Sequence, residues 1–251
     1  MSISEPVNVA ARPLAKTTTR PATPLHNYFY LFMSLLIAAT IVYGFSHTVD
    51  KNLIHPASPR PAILYFHAFV FTGWLVFYIF QSLLVRTRNV RIHKQAGWFG
   101  VALGLAIPCV GVATAIAMAH FNAVQLHQPG TESFLIIPLF DMVCFTSAFA
   151  LGIYWRAKPE YHRRLLLVAS CALTAAGFGR FPASVLPPPF FYAGVDILIL
   201  LGVARDLVVN RHIHPVYLYA LPAFMAAQTF VTYTMVHNSA WWLKIAHSLL
   251  A

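Results

Sequence analysis

Residues 96–121 read AGWFGVALGLAIPCVGVATAIAMAHF, twenty-six positions without one charged side chain. A helix of that length rises about 39 Å, more than the roughly 30 Å hydrocarbon core of a bilayer. In lipid the backbone must satisfy its own hydrogen bonds, so an apolar run this long reads as a membrane-crossing helix. Outward from it the pattern repeats. Apolar runs occupy 28–46, 61–85, 133–155, 163–184, 190–208 and 215–236, each near the roughly 20 residues that a crossing needs. The expected fold is therefore an all-α, polytopic membrane bundle of seven helices.

Composition agrees. The 251-residue chain is 59% hydrophobic and only 10% charged, against roughly 25% charged in soluble domains. Its net charge of +10 would suit nucleic acid in a soluble protein, but no recognised nucleic-acid motif accompanies it. Thirteen of the seventeen Lys and Arg fall on one side of the seven-helix arrangement and three (Lys51, Arg60, Lys244) on the other, with Arg180 inside a span. That asymmetry predicts a cytoplasmic N-terminus, a periplasmic C-terminus, an inner-membrane location and contacts with anionic lipid on the cytoplasmic face. Trp98 and Trp155 fall at the inner boundary, and Trp241 and Trp242 at the outer one.

Residues 1–27, polar and rich in Thr, Pro and Arg, read as a disordered cytoplasmic tail. Residues 28–236 form the membrane domain. Residues 237–251 hold an apolar stretch too short to span, expected to lie in the interface as an amphipathic helix. Pro108, Pro138 and Pro222 are expected to bend spans three, four and seven, and Gly100 and Gly104 to give span three a face for close approach. Cys109, Cys144 and Cys171 all lie in apolar runs, where an inert buried thiol is the ordinary outcome.

The spans contain few ionisable groups. His67, Asp141, Arg180 and Asp196 are expected at similar depth in the outer half of four helices, with Gln228 nearby on a fifth. Such groups are costly in lipid, so they face the bundle interior and find partners. Arg180 and Asp196 flank a short Pro-rich outer loop and are expected either to pair or, with His67 and Asp141, to line a periplasm-facing pocket for a proton or small polar solute. A metal is not expected, because no helical HxxxH or ExxH spacing occurs and Arg180 would repel a cation. His93, His162 and His214 share the inner boundary and form a candidate ligand set for haem b, as do His47, His67 and His120 further out. No Ser-His-Asp elbow, phosphate loop, HExxH or dinucleotide fingerprint is present, and no Lys in a late span is available to bind retinal. An accessory role beside a membrane protein partner is a third alternative.

Three helix hairpins share a plan, each leaving a span at Arg and entering the next near His: Arg86 to His93, Arg156 to His162, Arg205 to His212 and His214. The stretch from His67 to His93-Lys94-Gln95-Ala96-Gly97 resembles uncharacterised bacterial multi-pass membrane proteins, in which an intramembrane His precedes a basic loop ending His-basic-x-x-Gly. The resemblance covers most of 28–236 and implies the fold but no chemistry. There is a weaker similarity to b-type membrane cytochromes, whose histidines sit on paired helices. The departure here is that no two histidines stand one above the other as two stacked haems would need.

Overall fold

The structure is a computed structural model and describes residues 24–250. Residues 1–23 of the expected tail, and Ala251, lie outside the described residues. Among the described residues the chain is helical throughout, with no strand: α1 (Pro24–Ser46), α2 (Ala62–Arg86), α3 (Val90–Val124), α4 (Thr131–Phe134), α5 (Ile136–Tyr154), α6 (Pro159–Ala172), α7 (Ala175–Phe178), α8 (Phe191–Asn210), α9 (Pro215–Val236) and α10 (Ala240–Leu250), with a π turn at Asp50–Ile54.

Four stretches are long and apolar enough to cross a membrane: Asn27–Ser46, Ala62–Arg86, Val90–Val124 and Thr131–Tyr154. They coincide with the first four expected spans. Their outward faces are apolar. Phe69 is 75% exposed, Trp98 68% and Tyr154 75%, an arrangement suited to hydrocarbon rather than water.

The centre is aromatic. The Trp74 ring meets Phe145 edge-on at 5.3 Å, and Phe145 stacks on Phe149 at 5.5 Å. The Phe149 ring lies over Gly104, where a Cβ would come within 2.2 Å of it. The small face of α3 thus admits an aromatic ring from α5, besides letting helices approach.

Two details depart from the sequence reading. The fifth expected span is not one regular helix. α6 ends at Ala172, the Thr174 hydroxyl donates to the Cys171 carbonyl at 2.6 Å, and α7 adds one turn to Phe178. Leu173 and Thr174 keep right-handed helical backbone angles, so residues 159–178 run as one interrupted rod. α7 packs on α1 where two glycines meet: a Cβ on Gly44 would lie 2.2 Å from the Gly177 carbonyl oxygen. Pro138 sits in the first turn of α5, where its missing N–H leaves no helical bond unmade, whereas Pro108 and Pro222 lie inside α3 and α9.

α10 folds back onto the bundle. Trp242 and Ala246 are buried, and the Trp242 indole donates to the Glu132 carbonyl at 2.9 Å. Ser133 donates to the Asn238 side chain beside it.

Candidate functional site

The five residues singled out in the outer half fall into separate groups. Asp141 lies on α5, 8% exposed. Its Oδ1 accepts a hydrogen bond from the Tyr192 hydroxyl at 2.9 Å. Tyr192 is in the first turn of α8, and Asp196 follows one turn later on the same helix. Gln228 of α9 is buried and faces Asp196. With its amide nitrogen turned to the carboxylate, the only orientation in which donor meets acceptor, it donates to the two oxygens at 3.0 and 3.2 Å. α8 therefore carries two carboxyl contacts one turn apart, one reaching α5 and the other α9.

Arg180 does not join them. Its guanidinium turns back to the Ala176 carbonyl and lies over the Phe45 ring, 4.2 Å from the centroid. The expected ion pair with Asp196 is not formed among the described residues. The physical reason is the shortness of α7: Arg180 lies just past its end, caps a carbonyl left open there and packs on α1. His67 of α2 stacks on Phe71 at 3.9 Å and has a buried Nδ1 without a hydrogen-bond partner. Arg180 thus packs on α1 and His67 on its own helix α2, while Asp141 and Asp196 join α8 to α5 and α9. Neither of two surface grooves, one of about 600 Å³ along α2 and α3 and one of about 560 Å³ near His120 and Leu250, is lined by any of the five residues.

A second polar cluster escaped the sequence reading. Arg164 of α6 and Asp206 of α8 are both withdrawn from solvent. The guanidinium donates through Nε to Oδ2 at 2.8 Å and through Nη2 to Oδ1 at 2.6 Å. Arg205 and Asn210 add contacts to Oδ1 at 2.9 and 3.0 Å. Arg164 also donates to the Glu160 carbonyl and carboxylate at 2.8 and 2.6 Å, and Arg163 reaches the same carboxylate at 2.5 Å. Arg163, Arg164 and Arg205 look like loop cations in the sequence, yet Arg164 and Arg205 are buried. The available signal was Asp206 itself, an acid inside the 190–208 run.

Electrostatics at this end follow from those contacts. Burial raises the Glu160 carboxyl, but the Arg164 hydrogen bond and the Arg163 and Arg164 charges outweigh it and hold the group below the ordinary carboxylate range. His214 is lowered from the ordinary imidazole range, first by burial and then by the Arg164 charge. Its Nδ1 accepts from the Val216 N–H at 3.2 Å, capping α9, and its ring meets Tyr161 edge-on at 4.6 Å.

Of the three histidines expected at the inner boundary, His93 and His162 approach each other, ring centres 6.4 Å apart at 75°. His214 is engaged as a helix cap. Of the outer set, His47 bonds the Tyr43 carbonyl at 2.8 Å, and His47 and His120 are both exposed. Among the described residues no group of three or more His, Cys, Asp or Glu is placed to hold a metal.

A scan against protein-family models finds no match, and neither a search of curated proteins nor one of solved structures returns a match.

Proposed function

We propose that the chain is a seven-crossing inner-membrane protein, N-terminus cytoplasmic and C-terminus periplasmic, that carries a proton, or a small polar solute exchanging with one, at Asp141 and Asp196. The topology rests on the one-sided Lys and Arg distribution. The crossings beyond the four longest are the runs 163–184, 190–208 and 215–236, which hold α7 with most of α6, α8 and α9 in turn.

One comparison supports the proton role. Asp206 is bracketed by two arginines, so its charge is compensated and its function is to hold α6 to α8. Asp141 is also buried, but its partner is a neutral hydroxyl and no basic side chain pairs with it among the described residues. An isolated carboxylate is expensive in such surroundings, and the group neutralises by keeping its proton. Tyr192 leaves Oδ2 free for that proton. Asp196 is only partly buried, and its partner is likewise neutral, the Gln228 amide. A buried acid held neutral is poised to release its proton when a cation or polar solute arrives.

The test is proton movement in proteoliposomes containing an internal pH dye. Wild-type vesicles given an outward or inward pH step are expected to re-equilibrate faster than protein-free vesicles, and Asp141→Asn and Asp196→Asn to return to the protein-free rate. Variants as fast as the wild type would overturn the assignment.

A further inference from the structure

His93 opens α3 and His162 opens α6, and the hairpin plan brings both to the same end of the bundle. The His162 ring is held in one tautomer. Its Nδ1 lies 2.8 Å from the Gly152 carbonyl, which can only accept, so Nδ1 carries the hydrogen and Nε2 presents its lone pair. This is the arrangement by which a backbone carbonyl orients a metal-binding imidazole. On the other ring, the His93 Nδ1 is buried and has no partner. Each imidazole thus has a nitrogen open to a ligand.

The separation admits one two-coordinate ion between the rings. Metal–nitrogen bonds of about 2.0 Å on each side put two imidazole centres about 6 Å apart when the bonds are collinear, and here they are 6.4 Å apart. Four-coordinate zinc needs further donors and a bent angle, and no third His, Cys, Asp or Glu completes a set among the described residues. Lys94, adjacent in sequence to His93, adds positive charge that weighs more against a divalent than a monovalent ion, whereas Arg163 is paired with Glu160. We propose that His93 and His162 form a two-coordinate, bis-imidazole site for Cu(I) at the cytoplasmic end of the bundle. The site is independent of Asp141 and Asp196.

The full chain, purified in detergent, stripped with chelator and kept anaerobic and reduced, is titrated with Cu(I) against a chromophoric Cu(I) chelator. One Cu(I) per chain is expected, weakened at least about tenfold by His93→Gln and by His162→Gln and unchanged by His214→Gln. Absence of stoichiometric binding, or equal binding by all variants, would overturn the proposal. So would a haem absorbance in the protein as purified that disappears in the same variants, since the pair would then be axial haem ligands. X-ray absorption on the wild type serves if the variants fail to fold: two collinear nitrogen neighbours support the site, and sulfur or a larger nitrogen shell contradicts it.

Discussion

Arg164 grips Asp206 with two parallel hydrogen bonds, at 2.8 and 2.6 Å, and neither side chain reaches solvent. Bidentate guanidinium–carboxylate pairs are the strongest of their kind, yet burial removes the hydration of both ions. The energetic consequence of the pair therefore shows most clearly when only one partner is removed.

Asp206→Ala leaves Arg164 and Arg205 facing each other in the interior. The expected loss is about 3–5 kcal/mol, seen as a large drop in the thermal midpoint of the detergent-solubilised protein. Arg164→Leu combined with Asp206→Leu is expected to lose less than the sum of the single changes. Additive losses would show that the two groups do not act as a pair.

The same end of the molecule gives the pH dependence a sign. The folded-state value of Glu160 lies below its ordinary one, so its stabilisation is present above the ordinary carboxylate range and is lost as pH falls through the lowered value. The folded-state value of His214 is also lowered. The unfolded chain then binds its proton more readily, and stability falls as pH drops below the ordinary imidazole value of about 6.5. Both act in one direction. The thermal midpoint is expected to decline on acidification in two stages, with His214→Asn flattening the upper stage and Glu160→Gln the lower. A midpoint that rises on acidification would contradict both assignments.

Gly44→Ala tests the α1–α7 contact. The added methyl would meet the Gly177 backbone, which cannot swing aside as a side chain does, and the expected cost is about 1–3 kcal/mol. Gly73→Ala is the control. Nothing lies within 4 Å of a Cβ there, so the change is expected to be neutral or stabilising by about 0.5–1 kcal/mol through helix preference. Unfolding midpoints of the two variants decide it.

Topology is open to cysteine labelling in a background lacking Cys109, Cys144 and Cys171. Asn89→Cys, between α2 and α3, is expected to react only with a membrane-permeant reagent in intact cells. Asp50→Cys, between α1 and α2, is expected to react with an impermeant one as well. The reverse pattern would invert the orientation.

How much of this was readable in the sequence follows from what each signal measures. The four longest apolar stretches were plain because uncharged length alone specifies them. The interruption after Ala172 was not, since the Thr174 hydroxyl bonds its own backbone there, a local detail that hydropathy does not register. Asp141 and Asp196 stood out as lone acids in apolar runs, but their partners, Tyr192 and Gln228, are neutral and drew less notice. Arg180 drew a mistaken pairing because nearness to the loop before Asp196 does not say which way a side chain turns. Arg164 and Arg205 were assigned to the loops by position along the chain, while burial depends on depth in the bundle, which is set by how α6 and α8 pack.

The proton on Asp141 is the claim on which the function rests, and infrared spectroscopy of the carboxyl stretch reads it directly. At neutral pH the wild-type protein is expected to show a protonated-carboxyl band in a hydrophobic setting that disappears in Asp141→Asn and shifts in Tyr192→Phe. A spectrum unchanged by Asp141→Asn, or carrying only ionised carboxylate bands at neutral pH, would contradict the account.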